Sequence, residues 1–152
     1  MGARRLAADC LRLLDVPPAD VAVTAPRDRA LAAALGMSGA AASDERARAA
    51  VVSFRGQPGD AVARRACLDE LRARLPAGAP LVLVDHNQPR RWPARLVAFA
   101  ALALQGQRPA RARHPAAREL AAAGWSVERL RLACGERVQL VLARAPEAVA
   151  FD

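Results

Sequence analysis

Lysine, isoleucine and tyrosine are absent from the 152 residues, and aromatic side chains make up only 3%. So few rings argue against a platform for single-stranded nucleic acid, which stacks bases on aromatic faces. No apolar run reaches the roughly 20 residues that a membrane-crossing helix needs; the longest, residues 96–104, stops well short. Cysteine occurs three times, at Cys10, Cys67 and Cys134, with no CxxC and no metal-ligand spacing. That pattern excludes a disulfide framework and leaves no sequence basis for a metal site. Near the amino terminus, Asp9 and Arg12 break the apolar stretch that a signal peptide requires, and Leu6 stands where a myristoylation signal needs Ser or Thr. Paired glycines are missing too: of the nine, no two are separated by a single residue. The expectation is a reduced, cytoplasmic protein without a membrane span.

What is present is arginine and alanine. All 23 basic residues are arginine, giving a net charge of +8. Such a field favours acidic partners, yet a GC-rich genome produces the same skew through its codons. Charge alone is therefore weak support for nucleic-acid binding. The length suits one domain, expected to span 1–152, with 49–145 more regular in pattern than 1–48.

Hydrophobic periodicity lays out the elements. Leu6, Cys10, Leu13 and Leu14 form one stripe and predict a helix over 3–14, ended by Pro17 and Pro18. Residues 20–25 read as a short strand and 28–35 as a helix capped at Gly36. Residues 49–54 and 81–85 are continuously apolar, the mark of strands buried on both faces. Between them lies a helix over 60–75, with Asp60 as its N-cap, Cys67, Leu68, Leu71 and Leu75 inward, and Arg64, Arg65, Arg72 and Arg74 toward solvent. This is a parallel βαβ unit. A helix over 94–104 follows, then an Arg-rich loop over 105–113, then a helix with Pro115 at its first position, ending at Gly124. The pattern then changes to alternation: residues 127–133 and 137–143 predict an antiparallel hairpin around Gly135. The fold class is α/β, a mostly parallel Rossmann-like sheet with a C-terminal antiparallel hairpin.

Five stretches in this order resemble the C-terminal half of class I S-adenosylmethionine-dependent methyltransferases: residues 50–54, 68–78, 80–86, 118–125 and 138–144. The resemblance implies the family's fourth strand, the helix and turn after it, its fifth strand, its last helix and its final antiparallel strand. It implies a transferase fold of seven strands with S-adenosylmethionine as cofactor. The N-terminal third departs from the family. If residues 21–23 are the first strand, then Thr24-Ala25-Pro26-Arg27-Asp28 stands where a glycine-rich cofactor loop belongs, and two strands are missing. If they are the second strand, the first is missing, and Ala25 or Pro26 stands where the family's ribose-binding acid belongs. Proline removes an N–H donor, and side chains block close approach to the backbone.

Candidate site residues follow from the carboxyl ends of the strands, where open α/β sheets bind ligands. His86 is the candidate catalytic base, because an imidazole titrates near neutrality. Asp85, Asn87 and Trp92 are candidates for substrate binding. Trp92 is placed either as a lid over a pocket or as an anchor for the helix after it. Thr24, Asp28, Ser53 and Phe54 are candidates for cofactor binding, Phe54 as a ring that stacks on adenine. Each also has a structural role open to it: Asp85 as a turn cap, Phe54 as a core aromatic, and the cysteines as small buried hydrophobes. Arg90, Arg91, Arg95, Arg108, Arg111 and Arg113 form either an anion-capturing cluster or a solvated face.

The expectation carried forward is a methyltransferase-like protein with impaired or lost cofactor binding, a pseudoenzyme acting as an interaction or regulatory subunit. An active methyltransferase and an arginine-rich nucleic-acid module are the alternatives. A sheet short of strands exposes an edge, so a homodimer or a partner protein covering the N-terminal side is expected.

Overall fold

The computed structural model describes residues 2–25, 27–40, 47–55, 61–104 and 115–147. Helix α1 (Ala3–Leu14) buries Leu6, Cys10 and Leu14. It ends at Asp15, whose φ of 53° turns the chain into the left-handed region and returns its N–H to the Leu11 carbonyl. A short 3-10 turn leads into β1 (Val21–Thr24). Helix α2 (Arg29–Met37) starts at the Asp28 cap and runs past Gly36 to a cap at Ser38. The C-cap expected at Gly36 is thus overturned, because the apolar stripe through Leu31, Ala34 and Leu35 keeps the last turn packed.

Strand β2 (Ala49–Ser53) and strand β3 (Pro80–His86) flank α3 (Ala61–Arg74), the βαβ unit read from the sequence. All of β2, and β3 up to Asp85, is buried. The N-cap expected at Asp60 lies outside the described residues. Helix α4 (Trp92–Leu104) begins two residues before the expected start. Helix α5 (Ala116–Ala122) is capped by Pro115, so proline precedes the first turn instead of opening it. Gly124 closes α5 with φ +80°, letting Trp125 N–H reach the Leu120 carbonyl at 3.0 Å. A Cβ there would meet the Arg72 guanidinium at 2.5 Å. Strands β4 (Ser126–Ala133) and β5 (Val138–Arg144) form the expected hairpin.

The sheet order is β1-β2-β3-β5-β4. The first three strands are parallel, and β5 runs antiparallel to both β3 and β4. Side chains alternate across this sheet, and the alternation sorts two cores. One face carries Val52, Leu83 and Val141 against α3, α5 and Trp125. The other carries Val51, Val84 and Leu140 against α1 and α2. Helix α4 buries only Ala98 and Leu102.

One expectation fails here: Arg64 is buried, not solvent-facing, because it lies on the α3 stripe four residues before Leu68. Strand β4 keeps its alternation and, as the edge strand, is exposed up to Ala133. Among the described residues no helix is long and apolar enough to cross a membrane.

Candidate functional site

The carboxyl ends of β1, β2 and β3 converge on one side of the sheet, and three groups of polar residues meet there. The first lies between β1 and β2. There β1 pairs in parallel with β2 along Val21–Thr24. Thr24, half-buried, ends β1 opposite Val52.

The Asp28 carboxylate fills the crevice. Its Oδ1 accepts the Leu31 N–H at 3.3 Å, capping α2, and its Oδ2 accepts the Ser53 hydroxyl at 2.9 Å. Arg55 Nε stands 3.4 Å from the same Oδ2. Three of the cofactor-binding candidates, Thr24, Asp28 and Ser53, are therefore brought together. The fourth is not: Phe54 turns to the opposite face, buried beneath the Arg64 guanidinium at 4.1 Å from its ring centroid.

The start of α2 holds the protein's own carboxylate, that of Asp28. Both Asp28 oxygens are engaged with protein donors, and the polar end of β2 is spent on Asp28.

The second group is at the end of β3. His86 points to the α1 and α2 face and lines a cavity of about 500 Å³. Its Nε2 is buried without a hydrogen-bond partner. Burial pushes the imidazole below its ordinary value; nearby Asp85 pulls the other way and nearby Arg55 adds to the lowering. Arg55, Asn87 and Arg137 also line this cavity, as do Gly2 and Ala3 at the start of α1. Asn87 is held by the hairpin turn: its N–H donates to the Arg137 carbonyl at 2.9 Å and its Nδ2 to the Glu136 carbonyl at 2.7 Å. Arg90 N–H adds a contact to the Glu136 carboxylate at 3.1 Å. That turn carries three consecutive left-handed residues, Cys134, Gly135 and Glu136.

The third group stands behind the sheet. Asp85, next to His86 in sequence, faces the other way, 2% exposed. It accepts Arg64 Nη2 at 2.7 Å, and the same guanidinium donates to Glu119 at 2.7 and 2.6 Å. Burial works to pull Arg64 down, but hydrogen bonding and charge from Glu119 and Asp85 prevail and hold it above its ordinary value. The alternation of β3 separates Asp85 from the cavity and leaves His86 and Asn87 on it. Asp85 also accepts the His86 N–H at 2.7 Å, the turn-capping role open to it from sequence.

Trp92 opens α4 at 70% exposed and does not line the cavity. Arg108, Arg111 and Arg113 lie outside the described residues. Burial pushes the Cys10 thiol up to about 12, and Asp9 adds to the rise, so it is a packed, protonated hydrophobe. Cys134, half-buried, lines the cavity. Among the described residues no three His, Cys, Asp or Glu side chains gather in a way that could hold a metal.

Sequence reasoning passed over Arg137, the start of α1 and the Arg64–Glu119 pair. A signal existed only for Arg64, whose spacing to Leu68, Leu71 and Leu75 puts it on the buried face.

No protein-family profile and no curated protein matches this chain. Solved structures do. The mitomycin 7-O-methyltransferase MmcR superposes with a TM-score of 0.61 at 20% identity, over 94% of this chain and 52% of its own. The N-methyltransferase NodS from Bradyrhizobium japonicum gives 0.56 at 14%, over 95% and 96%. Human N-acetylserotonin methyltransferase, solved in complex with S-adenosylmethionine, gives 0.56 at 12%, over 92% and 51%. The chain spans half or less of the length of several matched structures, 42% of the pyocyanin biosynthetic protein PhzM among them. At these identities the likeness is one of fold. It is a class I methyltransferase-like fold, with a sheet of five strands among the described residues.

Proposed function

We propose that this chain is a methyltransferase-like protein whose cofactor crevice is closed, and that it works as an interaction or regulatory subunit in the cytoplasm. One observation carries the reading: the Asp28 carboxylate caps α2 and binds Ser53 at the carboxyl ends of β1 and β2. A ligand carboxylate placed there meets a fixed negative charge instead of open backbone donors. The cavity beside His86 adjoins that crevice through Arg55 and Ala30 and remains as the small-molecule compartment of the site. The partner is a second copy of the chain or another protein covering the N-terminal side, where β1 ends the sheet.

Calorimetry with S-adenosylmethionine tests the reading. Losing two or three hydrogen bonds of about 1 kcal/mol each weakens binding roughly 30- to 150-fold. The expected result is binding in the high micromolar to millimolar range or none. A low micromolar dissociation constant would overturn the reading and favour the active transferase. That second reading has one observation of its own, the unpartnered Nε2 of His86, placed where a base for an acceptor hydroxyl belongs.

A further inference from the structure

The cavity at the end of β3 has a one-sided chemistry. Its volume of about 500 Å³ falls within the range of small-molecule sites. Leu6, Ala98 and Leu102 give it apolar walls, and among the described residues that line it none is acidic. The polar side chains that reach it are Arg55, Arg137, Asn87 and His86. Asn87 Nδ2 is spent on backbone carbonyls.

The two arginines are not equally satisfied. Arg55 shares one carboxylate oxygen of Asp28 with Ser53, and its Nε, buried, lacks a hydrogen bond. Arg137 has no ion pair among those described. Buried polar atoms are nearly always bonded, so the unbonded Nε2 of His86 beside this cavity calls for a partner; the Nε of Arg55, also without a hydrogen bond, faces the Asp28 carboxylate at 3.4 Å. The start of α1 at the rim adds to the same sign. Gly2 caps it without a side chain, and its first turn contains no acid.

We propose that this cavity binds a small apolar carboxylic acid, its carboxylate among Arg55, Arg137 and His86 and its hydrocarbon body against Leu6, Ala98 and Leu102. The assignment prefers a carboxylate to a phosphate because the walls are mainly apolar and donors are few. It deepens, and rests on, the reading of this cavity as the small-molecule compartment. The two tests fail separately, since the first reads the affinity for S-adenosylmethionine and the second reads the difference between an acid and its amide together with protection of Cys134.

The experiment titrates the full chain with 3-phenylpropionate and with 3-phenylpropionamide, which keeps the shape and removes the charge. The acid is expected to bind at least about 10-fold more tightly than the amide. Arg137→Gln, an exposed position that does not endanger folding, should bring the two affinities together by weakening the acid alone. Cys134 lines the same cavity, so the bound acid should slow its alkylation by iodoacetamide. Equal affinity for acid and amide, inorganic phosphate binding as tightly as the acid, binding that leaves Cys134 unprotected, or no binding at millimolar acid would each overturn the proposal.

Discussion

Arg64 holds two carboxylates in a place where neither could stand alone. At 6% exposure it bridges Asp85 and Glu119 and lies over the Phe54 ring. Taking ions out of water is expensive, and the pairing repays it only while every partner is present. Arg64→Met fills similar space but strands Asp85 inside the sheet. The expected loss is about 3–5 kcal/mol, read by urea unfolding. Restoring neutrality with Arg64→Met, Asp85→Asn and Glu119→Gln together should recover most of it. A single Arg64→Met protein as stable as the parent would show that the triad is not held as described. His86, one residue along from Asp85, belongs to a different environment altogether, and this explains why a motif read as Asp-His-Asn divides between two faces. Sequence shows the run of residues; only the two-residue period of the strand decides which of them share a cavity.

Among the elements, the central ones were legible and the peripheral ones were not. Residues 49–54 and 81–85 read as doubly buried strands because their apolar run has no polar break, and β2 and β3 are buried accordingly. Residues 127–133 read as a strand because Leu130 and Leu132 alternate with Arg129 and Arg131. The alternation is real, with Leu130 opposite Val141 and Arg131 opposite Leu140, but the strand is exposed up to Ala133. Periodicity reports which face is apolar, not whether a helix arrives to cover it. The site was legible in part for the same reason. Thr24, Asp28, Ser53 and His86 all end strands or start helices, positions that pattern can find. Arg137 and the start of α1 come to the cavity through topology, which no local window contains. A paired substitution separates coverage from pattern. Leu140→Ala in β5 removes a fully buried side chain and is expected to cost about 2–5 kcal/mol. Leu130→Ala in β4, at 50% exposure, should lose well under half of that in the same denaturation series. Equal losses would mean that β4 is covered in solution.

For the whole molecule, the layered core and the uncovered surface follow from one fact, the small number of strands. Five strands among those described leave β1 and β4 as the two ends of the sheet, and α4 leaves Trp92, Leu96, Val97 and Leu104 exposed. Large apolar side chains exposed together on one helix are a candidate interaction site. Light scattering should give about twice the chain mass of 16.1 kDa at high concentration, falling on dilution. Leu96→Arg then separates the surfaces: loss of the dimer assigns contact to α4, and a retained dimer assigns it to the sheet edge. A monomer at every concentration, with no protein partner recovered, would count against the subunit reading.

The hairpin tip has a mechanical consequence. Cys134, Gly135 and Glu136 wind the chain left-handed, and that curl presents the Glu136 carbonyl and carboxylate, with the next carbonyl at Arg137, to Asn87 and Arg90. The segment that launches α4 is thereby hooked onto the tip of β4–β5. Asn87→Ala removes only the side-chain hook to the Glu136 carbonyl; the backbone hooks, Asn87 N–H to the Arg137 carbonyl and Arg90 N–H to the Glu136 carboxylate, remain, so the two segments stay joined and the loss between them is confined to one bond.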